Sequence, residues 1–470
     1  MRLQSVAFAL IAILAVPSAP APAADDVNVK LTNELIALRD AALADDFAYR
    51  QTAHLTDNIG SRPSGSPQAE AAVDYVAGEL RQLGLEVRLE EVRVPRWLRG
   101  VETAELTEYP GQVPGTKQKI VVTALGGNRP TPPDGITAEV VVARNFAELK
   151  ALGREKVAGK IVVFTFPFDR QKAANGLAGH AYGEAVEYRV MGAKTAEEMG
   201  AVGCVVRSVG GADYRLPHTG LSVPAGIPAG AVTSEDADLM ARLSAQGKVK
   251  LHLILTSQNG PEVVSHNVVA DLKGSEHPEQ IVIVSGHLDS WDLGTGAIDD
   301  AAGVAVAMET AQLVQQLHLR PRRTIRVIAW MDEENGGRGN EAYATAHASE
   351  TGSYVAAIES DLGASHPLGF RAKVQPEALP LLKPMQDVLQ DFGANLIERV
   401  EFSPGSDIAP LAQAGVPAMG LMQDGRTYFN YHHTAADTLD KIVPLELREN
   451  AAALAVMGYG LADMPAVLPR

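Results

Sequence analysis

The sequence predicts an α/β protein with a mostly parallel central sheet, helices on both of its faces, and a smaller inserted α/β domain. From Asn267 onward, short apolar runs alternate with helical segments, which is typical of a parallel sheet. The run Gln280–Ser285 has a continuous apolar centre, as expected for a strand buried on both faces. Earlier in the chain, a helix at 68–83 and an alternating strand at 87–94 have no sheet of their own. We expect them to join the C-terminal sheet, which makes the segment after them an insertion.

The first 24 residues are predicted to be a secretion signal. Arg2 supplies a positive start, and Val6–Val16 supplies about 11 apolar residues, too few for a bilayer span of about 20. Ala21–Ala23 forms an A-x-A cleavage site, which favours a signal over a buried N-terminal helix. No cysteine follows the apolar stretch, so we expect no lipid anchor. The protein is therefore expected to be exported, to the periplasm or the medium, without a stable membrane anchor.

Prolines and glycines cluster between 105 and 135, where we expect a domain boundary. We place the inserted domain at 106–260 and the two parts of the main domain at 25–105 and 261–470. Residues 24–45 are open to a second interpretation, as a propeptide removed on maturation. The other predicted elements are helices at 30–56, 183–199, 234–246, 301–319, 376–392 and 445–462, and strands at 138–143, 160–166, 201–207, 248–255, 324–330, 354–358 and 416–422.

Composition narrows the function classes. The 470-residue chain is 46% hydrophobic and 21% charged, which is a globular composition. Its net charge of -16 disfavours binding to nucleic acid, because an acidic field repels phosphates. The single cysteine, Cys204, excludes a disulfide framework and any cysteine-ligated zinc site. Twelve histidines and 57 acidic residues leave a histidine and carboxylate metal site open.

Acidic and histidine side chains follow three strands of the predicted main sheet. In open α/β sheets, ligands bind outside the carboxyl ends of the strands. Like charges packed at such an edge are costly unless a cation compensates them, so this edge predicts a metal site. The residues are His287 and Asp289 after the first strand, Glu333 and Glu334 after the second, and Asp361 after the third.

Two further segments complete a ligand set. Asp299 precedes a predicted helix near the same edge, and His433 lies close to the C-terminus. Histidine nitrogen and carboxylate oxygen suit Zn²⁺, with Mn²⁺ or Co²⁺ as alternatives. If Asp299 bridges, two metal ions each receive three protein ligands and keep an open position, which is typical of catalytic sites. Each motif alone also has a structural interpretation; Asp437, for example, can simply cap a turn.

With these motifs, the sequence resembles the secreted di-zinc metallopeptidases, a family that includes bacterial aminopeptidases and glutamate carboxypeptidases. The resemblance implies the di-zinc exopeptidase fold, two Zn²⁺ per chain, a small peptide substrate and a homodimer. It also implies that the insertion is a protease-associated domain that packs over the active site. The matching segments are Ile59–Ser66, His287–Asp289, Gly296–Asp300, Glu333–Gly337, Glu359–Asp361 and His433–Thr438.

The resemblance also implies a role for each site residue. Glu333 is expected to be the general base, which takes a proton from water and returns it to the leaving amine. Asp289 is expected to accept the second ring N–H of His287 and so fix its tautomer. The implied metal ligands are His287 and Asp361 on one ion, Glu334 and His433 on the other, and Asp299 between them.

The substrate-binding residues stay open. Some related aminopeptidases place a tyrosine just before a Ser-Asp pair, where it supports the oxyanion, but Phe402–Asp407 contains none. Tyr428, Tyr431 or His432 can take its place. Asp407 either binds a substrate α-amine or supports its neighbours. In the insertion, His218 is a further candidate to line the cleft.

We expect an exported di-zinc exopeptidase that hydrolyses small peptides, most readily dipeptides with free termini. A broader aminopeptidase on the same machinery is the alternative. Glutaminyl cyclisation is less favoured, because that resemblance normally pairs with a single metal. A receptor-like binding protein on an inactive peptidase fold is also less favoured, because all five ligands are present.

Overall fold

The computed structural model describes residues 24–470. The predicted secretion signal lies outside the described residues except for Ala24. Among the helices of the described part, none combines the length and the apolar character needed to cross a bilayer. This part of the chain forms two eight-stranded sheets and one two-stranded ribbon.

The strands fall into two groups along the chain. The first nine are β1 Glu86–Val94, β2 Trp97–Leu98, β3 Glu102–Glu108, β4 Gln118–Ile120, β5 Val122–Ala124, β6 Ile136–Ala143, β7 Ile161–Phe164, β8 Gly203–Arg207 and β9 Ala229–Val232. The others are β10 Lys250–Leu255, β11 Gln258–Asn259, β12 Val263–Leu272, β13 His277–His287, β14 Arg323–Trp330, β15 Tyr354–Glu359, β16 Pro367–Lys373, β17 Leu396–Arg399 and β18 Ala418–Gln423.

Helices alternate with these strands. They are α1 Ala24–Ala44, α2 Phe47–Ala53, α3 Pro67–Gln82, α4 Phe146–Leu152, α5 Arg154–Val157, α6 Arg170–Lys172, α7 Ala178–Glu198, α8 Ser234–Ser244, α9 Ala302–Gln316, α10 Arg338–Ala346, α11 Lys383–Leu389, α12 Ala409–Gln413 and α13 Pro444–Asp463. Stretches of tighter or wider helical turns lie at His54–Ile59, Ala173–Leu177, Ala297–Ala301, Ala348–Ser353, Pro376–Leu382, Gln390–Phe392, Tyr428–Asn430 and Leu439–Lys441.

The main sheet has the strand order β1-β12-β14-β13-β15-β18-β16-β17. Its centre is parallel, since β13 pairs in parallel with β14 and β15, and β15 pairs in parallel with β18. Antiparallel pairs lie toward both ends, where β12 meets β1 and β14, and β16 meets β18. The predicted α/β fold class is confirmed, and β1 joins this sheet as expected.

The second sheet has the order β4-β3-β10-β6-β7-β8-β9-β5 and contains the strands predicted for the insertion. Its first strand in the chain, β3, begins at Glu102, so the boundary predicted at 106 is wrong by a few residues. The reason is packing: Ala104 and Leu106 are buried and stand opposite Leu253 and Leu251 of β10. That alternation begins before the proline-rich stretch from which the boundary was inferred.

Prolines explain the main difference in helix content. The single helix predicted at 376–392 is broken, and only Lys383–Leu389 is α-helical. Pro376 begins the tight turn before it, and Pro380 lies inside that turn, where its ring removes a backbone donor. Strands β16 and β17 were not predicted; Leu396–Arg399 is short and largely exposed, so it carries no clear apolar pattern.

The core of the main domain lies between the sheet and the apolar helices α9 and α13. Both helices are buried along almost their whole length. Helix α1 packs against α13 through Leu31, Leu35 and Leu38, all of which are buried. This packing favours the interpretation of 24–44 as part of the main domain over that of a propeptide.

Candidate metal centre

The acidic and histidine residues predicted from the strand ends do meet at one edge of the main sheet. His287 is the last residue of β13, and Asp361 follows β15 closely. Glu334 lies just beyond the end of β14. Because these three strands are neighbours in the parallel part of the sheet, their carboxyl ends deliver the side chains to one place.

Two triads of ligand atoms share Asp299. In the first, His287 Nε2 lies 3.1 Å from Asp299 Oδ1 and 3.3 Å from Asp361 Oδ1. In the second, His433 Nε2 lies 3.3 Å from Asp299 Oδ2 and 3.0 Å from Glu334 Oε2. The two oxygens of one carboxylate therefore face two different triads, as a bridging ligand requires.

The spacing within each triad fits zinc. Ligand bonds of about 2.0–2.1 Å in a tetrahedral site place neighbouring ligand atoms about 3.3 Å apart. The four histidine-to-carboxylate distances run from 3.0 to 3.3 Å. In addition, Glu334 Oε1 is buried and has no hydrogen-bond partner among the described residues. An orphaned carboxylate oxygen beside a preformed donor set is what a cation would satisfy.

The electrostatics of the cluster also call for a cation. Burial, together with Asp361 and Glu334, raises the pKa of Glu333 well above its usual range. Burial likewise raises the pKa of Asp361. For His287, burial opposes the charged form, but Asp361 and Asp299 raise its pKa well above the usual range. The site thus concentrates more negative charge than its histidines offset, and a divalent ion relieves that excess.

Asp289 acts through different atoms than the resemblance implied, so that expectation is corrected. The His287 Nδ1–H donates to the backbone carbonyl of Asp289 at 2.9 Å, whereas the Asp289 carboxylate lies 3.8 Å away. The carboxylate instead accepts the backbone N–H groups of residues 332–334, at 2.8, 3.1 and 3.3 Å, and the Ser64 hydroxyl at 2.9 Å. Asp289 therefore fixes the ring with its main chain and the turn after β14 with its side chain.

Two acidic residues hold the segment that carries Asp299. Asp437 Oδ1 accepts the N–H groups of Ala297 and Ile298, both at 2.8 Å, so it acts as the turn cap considered from the sequence. Asp300 Oδ2 accepts the backbone N–H of His287 at 3.0 Å. Together these bonds tie the loop before α9 to the end of β13.

Arg62 is a supporting residue that the sequence reasoning did not single out. It is fully buried and donates to the carbonyls of Leu288, Thr295 and Gly296 at 2.7, 2.7 and 2.9 Å. A buried guanidinium saturated by carbonyls fixes the loop between two metal ligands. The signal available in the sequence was its place in the matching segment Ile59–Ser66.

A cavity of about 970 Å³ opens beside the triads. Its wall includes Asp299, Glu333, Glu334, Asp361 and His433 from the main domain. The second sheet's domain covers it with residues of α7 and of the loops before β9. These are Gly179, Tyr182, Arg189, Val190 and Leu221–Pro224.

The candidate substrate-binding residues separate in the structure. Tyr428 and His432 line the cavity. Asp407 does not: it is buried and accepts a hydrogen bond from Asn340 Nδ2 at 3.0 Å. Tyr431 is absent from the cavity wall and packs at the edge of the core, with Lys441 over its ring. His218, from the insertion, is buried behind His432 and contacts it.

Comparisons with known proteins agree with this geometry. A family model described as peptidase family M28 matches residues 267–457. Carboxypeptidase Q from Xenopus laevis and from Homo sapiens are each 38% identical to the chain over 434 residues, which is 91% of this chain and 88% of those proteins. The runs Thr131–Val140, Pro217–Gly220 and Ser285–Asp292 already resemble that enzyme, also called plasma glutamate carboxypeptidase.

Solved structures give the same picture. The crystal structure of a peptidase M28 precursor from Shewanella amazonensis superposes with a TM-score of 0.88 at 36% identity, covering 95% of this chain and 99% of that one. A zinc aminopeptidase from Bacillus subtilis superposes with a TM-score of 0.66 at 20% identity, covering 90% and 98%. The second likeness shows the shared fold alone.

Proposed function

Because the chain belongs to peptidase family M28 and is a zinc-dependent metallopeptidase, we propose that it is an exported exopeptidase that holds two Zn²⁺ and hydrolyses dipeptides with free termini. The observation that carries this proposal is the pair of triads joined by the two oxygens of Asp299 and open to a cavity. Bound zinc lowers the pKa of water and polarises the scissile carbonyl. The remaining chemistry belongs to the residues of the chain.

Glu333 is the proposed general base. It lines the cavity and belongs to neither triad, so its carboxylate is free to exchange a proton with water and with the leaving amine. Its backbone N–H donates to the Asp289 carboxylate at 3.1 Å, which holds the residue in place beside Glu334. Glu333 would take the proton from the attacking water and deliver it to the amine nitrogen as the C–N bond breaks.

Arg189 supports the preference for a free carboxyl terminus. Its guanidinium lines the cavity, its Nη1 donates to the Tyr182 hydroxyl at 2.8 Å, and its Nε is buried without a hydrogen-bond partner among the described residues. The backbone of Gly220 packs against it so closely that a Cβ there would lie 2.3 Å from Nη1. A buried cation with an unused donor suits a substrate carboxylate.

Arg338 is the other cation in the cavity wall and makes a useful contrast. Its side chain is 39% exposed and pairs with Glu262 at 2.9 Å. An exposed, already paired guanidinium gains little from a ligand carboxylate. The enclosed Arg189 is therefore the proposed carboxylate anchor, and Arg338 is its control.

A broader aminopeptidase is the second candidate, favoured by the acidic wall of the same cavity. Carboxylates of Glu333, Glu334 and Asp361 can attract a substrate α-amine whether or not its carboxyl terminus is free. The two candidates differ only in whether Arg189 is engaged. Substrates with amidated carboxyl termini separate them.

The test is a panel of unblocked, N-acylated and C-amidated dipeptides, given to zinc-loaded protein with a chelated control. Chelator-sensitive cleavage of the unblocked set alone supports a dipeptidase. Cleavage of the amidated set points to an aminopeptidase, and cleavage of the N-acylated set points to a carboxypeptidase. No cleavage of any set by protein with two zinc ions would contradict the proposal.

Export and dimerisation belong to the proposal as well. Export is supported by the signal pattern in residues 1–24, and the homodimer by the family resemblance alone. Mass spectrometry of protein recovered outside the cytoplasm, expected to begin at or near Ala24, tests the first. Light scattering of that protein tests the second.

A further inference from the structure

We propose that His432 donates the hydrogen bond that stabilises the substrate's carbonyl oxygen during hydrolysis, and that His218 of the insertion is the positioning residue that aims it. This inference rests on the proposed function. It names the oxyanion-supporting group that the sequence left open among three candidates. It also gives the inserted domain a part in the chemistry.

The two histidines form a buried pair across the domain boundary. His218 Nε2 lies 3.1 Å from His432 Nδ1, and His218 is fully buried. The backbone N–H of His218 donates to Ser208 Oγ at 3.0 Å, which anchors the residue to the second sheet's domain. His432 therefore has one ring nitrogen held by the insertion and the other left to face the site.

The free nitrogen of His432 points at the metal centre. Its Nε2 lies 3.4 Å from Asp299 Oδ2, and its ring stacks on that of His433 at 3.7 Å between centroids. His432 also lines the cavity. A donor at this nitrogen would stand beside the bridging ligand, where a carbonyl oxygen gains negative charge as water attacks.

The proton positions follow from an unpartnered atom. In a neutral imidazole one nitrogen donates and the other accepts. His218 Nδ1 is buried and has no hydrogen-bond partner among the described residues. Because an orphaned buried donor is rarer than an under-satisfied acceptor, the His218 proton belongs on Nε2. That N–H donates to His432 Nδ1, which leaves the His432 proton on Nε2, facing the site.

The other two candidates fit less well. Tyr431 does not line the cavity. Tyr428 does line it, but no described residue holds its hydroxyl in the way that His218 holds His432. Preorganised donors contribute most to this kind of stabilisation, because they need no reorientation during the reaction.

The experiment compares His432→Phe, His218→Phe, His218→Gln and the double phenylalanine variant in the full-length zinc-loaded protein. We measure kcat and KM on an unblocked dipeptide, zinc content, thermal melting, and affinity for a phosphinic dipeptide analogue that mimics the tetrahedral state. His180→Phe, at an exposed histidine of α7, is the matched control. Tyr428→Phe tests the competing candidate.

We expect His432→Phe to keep two zinc ions, lower kcat about a hundredfold and weaken the analogue by a similar factor, with a smaller change in KM. His218→Phe should lower kcat at least about tenfold, as loss of a group that orients a site residue does. The double variant should be no worse than His432→Phe alone, because His218 acts through His432. His218→Gln keeps an N–H at the same reach and should recover part of the loss.

Four results would overturn the inference. Zinc loss in His432→Phe would make His432 a ligand. Losses that multiply in the double variant would separate the two residues. Unchanged kcat in a folded His218→Gln and His218→Phe pair would remove the positioning role, and Tyr428→Phe reproducing the loss would move the donor there. If the wild-type protein cleaves no dipeptide, the proposed function fails, and weaker analogue binding by His432→Phe still reports on the donor.

Discussion

Replacing Asp289 with asparagine tests how the turn that carries Glu333 and Glu334 is held. The Asp289 carboxylate is fully buried and accepts from Ser64 and from the three amides of residues 332–334. Asparagine keeps one oxygen and replaces the other with a donor. In the less costly orientation the oxygen serves residues 332 and 333, the Ser64 hydroxyl rotates to accept, and only the Glu334 amide faces a donor.

The loss is therefore one hydrogen bond to a charged acceptor, at about 1.5–3 kcal/mol, with the amide left buried and unpaired. We expect Asp289→Asn to melt at a lower temperature and to weaken zinc at the site containing Glu334 by about 10–100-fold. Zinc titration against a competing chelator measures this. Glu334→Gln and Asp361→Asn serve as references for which site is emptied, and Ser64→Ala, which removes only the hydroxyl, is the matched control.

Two results would refute this reasoning. Unchanged zinc affinity and melting temperature would show that the carboxylate does not hold the turn. Selective loss of the site containing His287 would restore the role first expected from the resemblance, in which the carboxylate orients that ring.

The same structure supports three further predictions. Glu333→Gln should keep the fold and both zinc ions while kcat falls at least about a hundredfold, and near-normal turnover of the zinc-loaded variant would remove the general-base role. Arg189→Gln should raise KM for unblocked dipeptides at least about tenfold while Arg338→Gln leaves it unchanged; equal effects in steady-state assays would contradict the carboxylate anchor. Burial raises the pKa of Glu309 to about 8, so the folded protein keeps this proton while the unfolded chain loses it above about 4.5, and stability should fall as pH rises from about 5 to 8. Melting curves of Glu309→Gln should show a shallower decline, whereas parallel curves for variant and wild type would count against it.

The ligand set could be predicted from the sequence because the ends of buried strands are easy to locate. A buried parallel strand is recognised by its run of apolar residues, and the residues directly after that run must reach the carboxyl edge of the sheet. That is why His287, Glu334 and Asp361 could be placed together before their distances were known. His433 and Asp299 depended more on the resemblance, since neither follows a strand.

Contacts between domains could not be predicted in the same way. Arg189 and His218 lie far from the ligands in the chain and reach the cavity only because the second sheet's domain packs over it. No local pattern reports such docking. The atom through which Asp289 meets His287 was equally hidden, because a backbone carbonyl and a carboxylate of one residue look identical in a sequence.

The prolines show where local patterns mislead. The apolar spacing at 376–392 predicted one helix, yet Pro376 and Pro380 confine the α-helical part to Lys383–Leu389. The boundary of the inserted domain failed for a related reason. Turn-rich composition marked a loop, while the strand that begins the sheet, Glu102–Glu108, lies before it.

Zinc stoichiometry of Asp299→Ala tests the central claim most directly, because that claim is one carboxylate shared by two metal ions. Elemental analysis of protein dialysed against zinc-free buffer should find two zinc ions per chain in the wild type and in Asp74→Ala, an exposed control. In Asp299→Ala, each triad loses one of its three ligands, so we expect less than one ion per chain at an unchanged fold. Two tightly held zinc ions in Asp299→Ala would contradict the bridging role and the two-metal centre built on it.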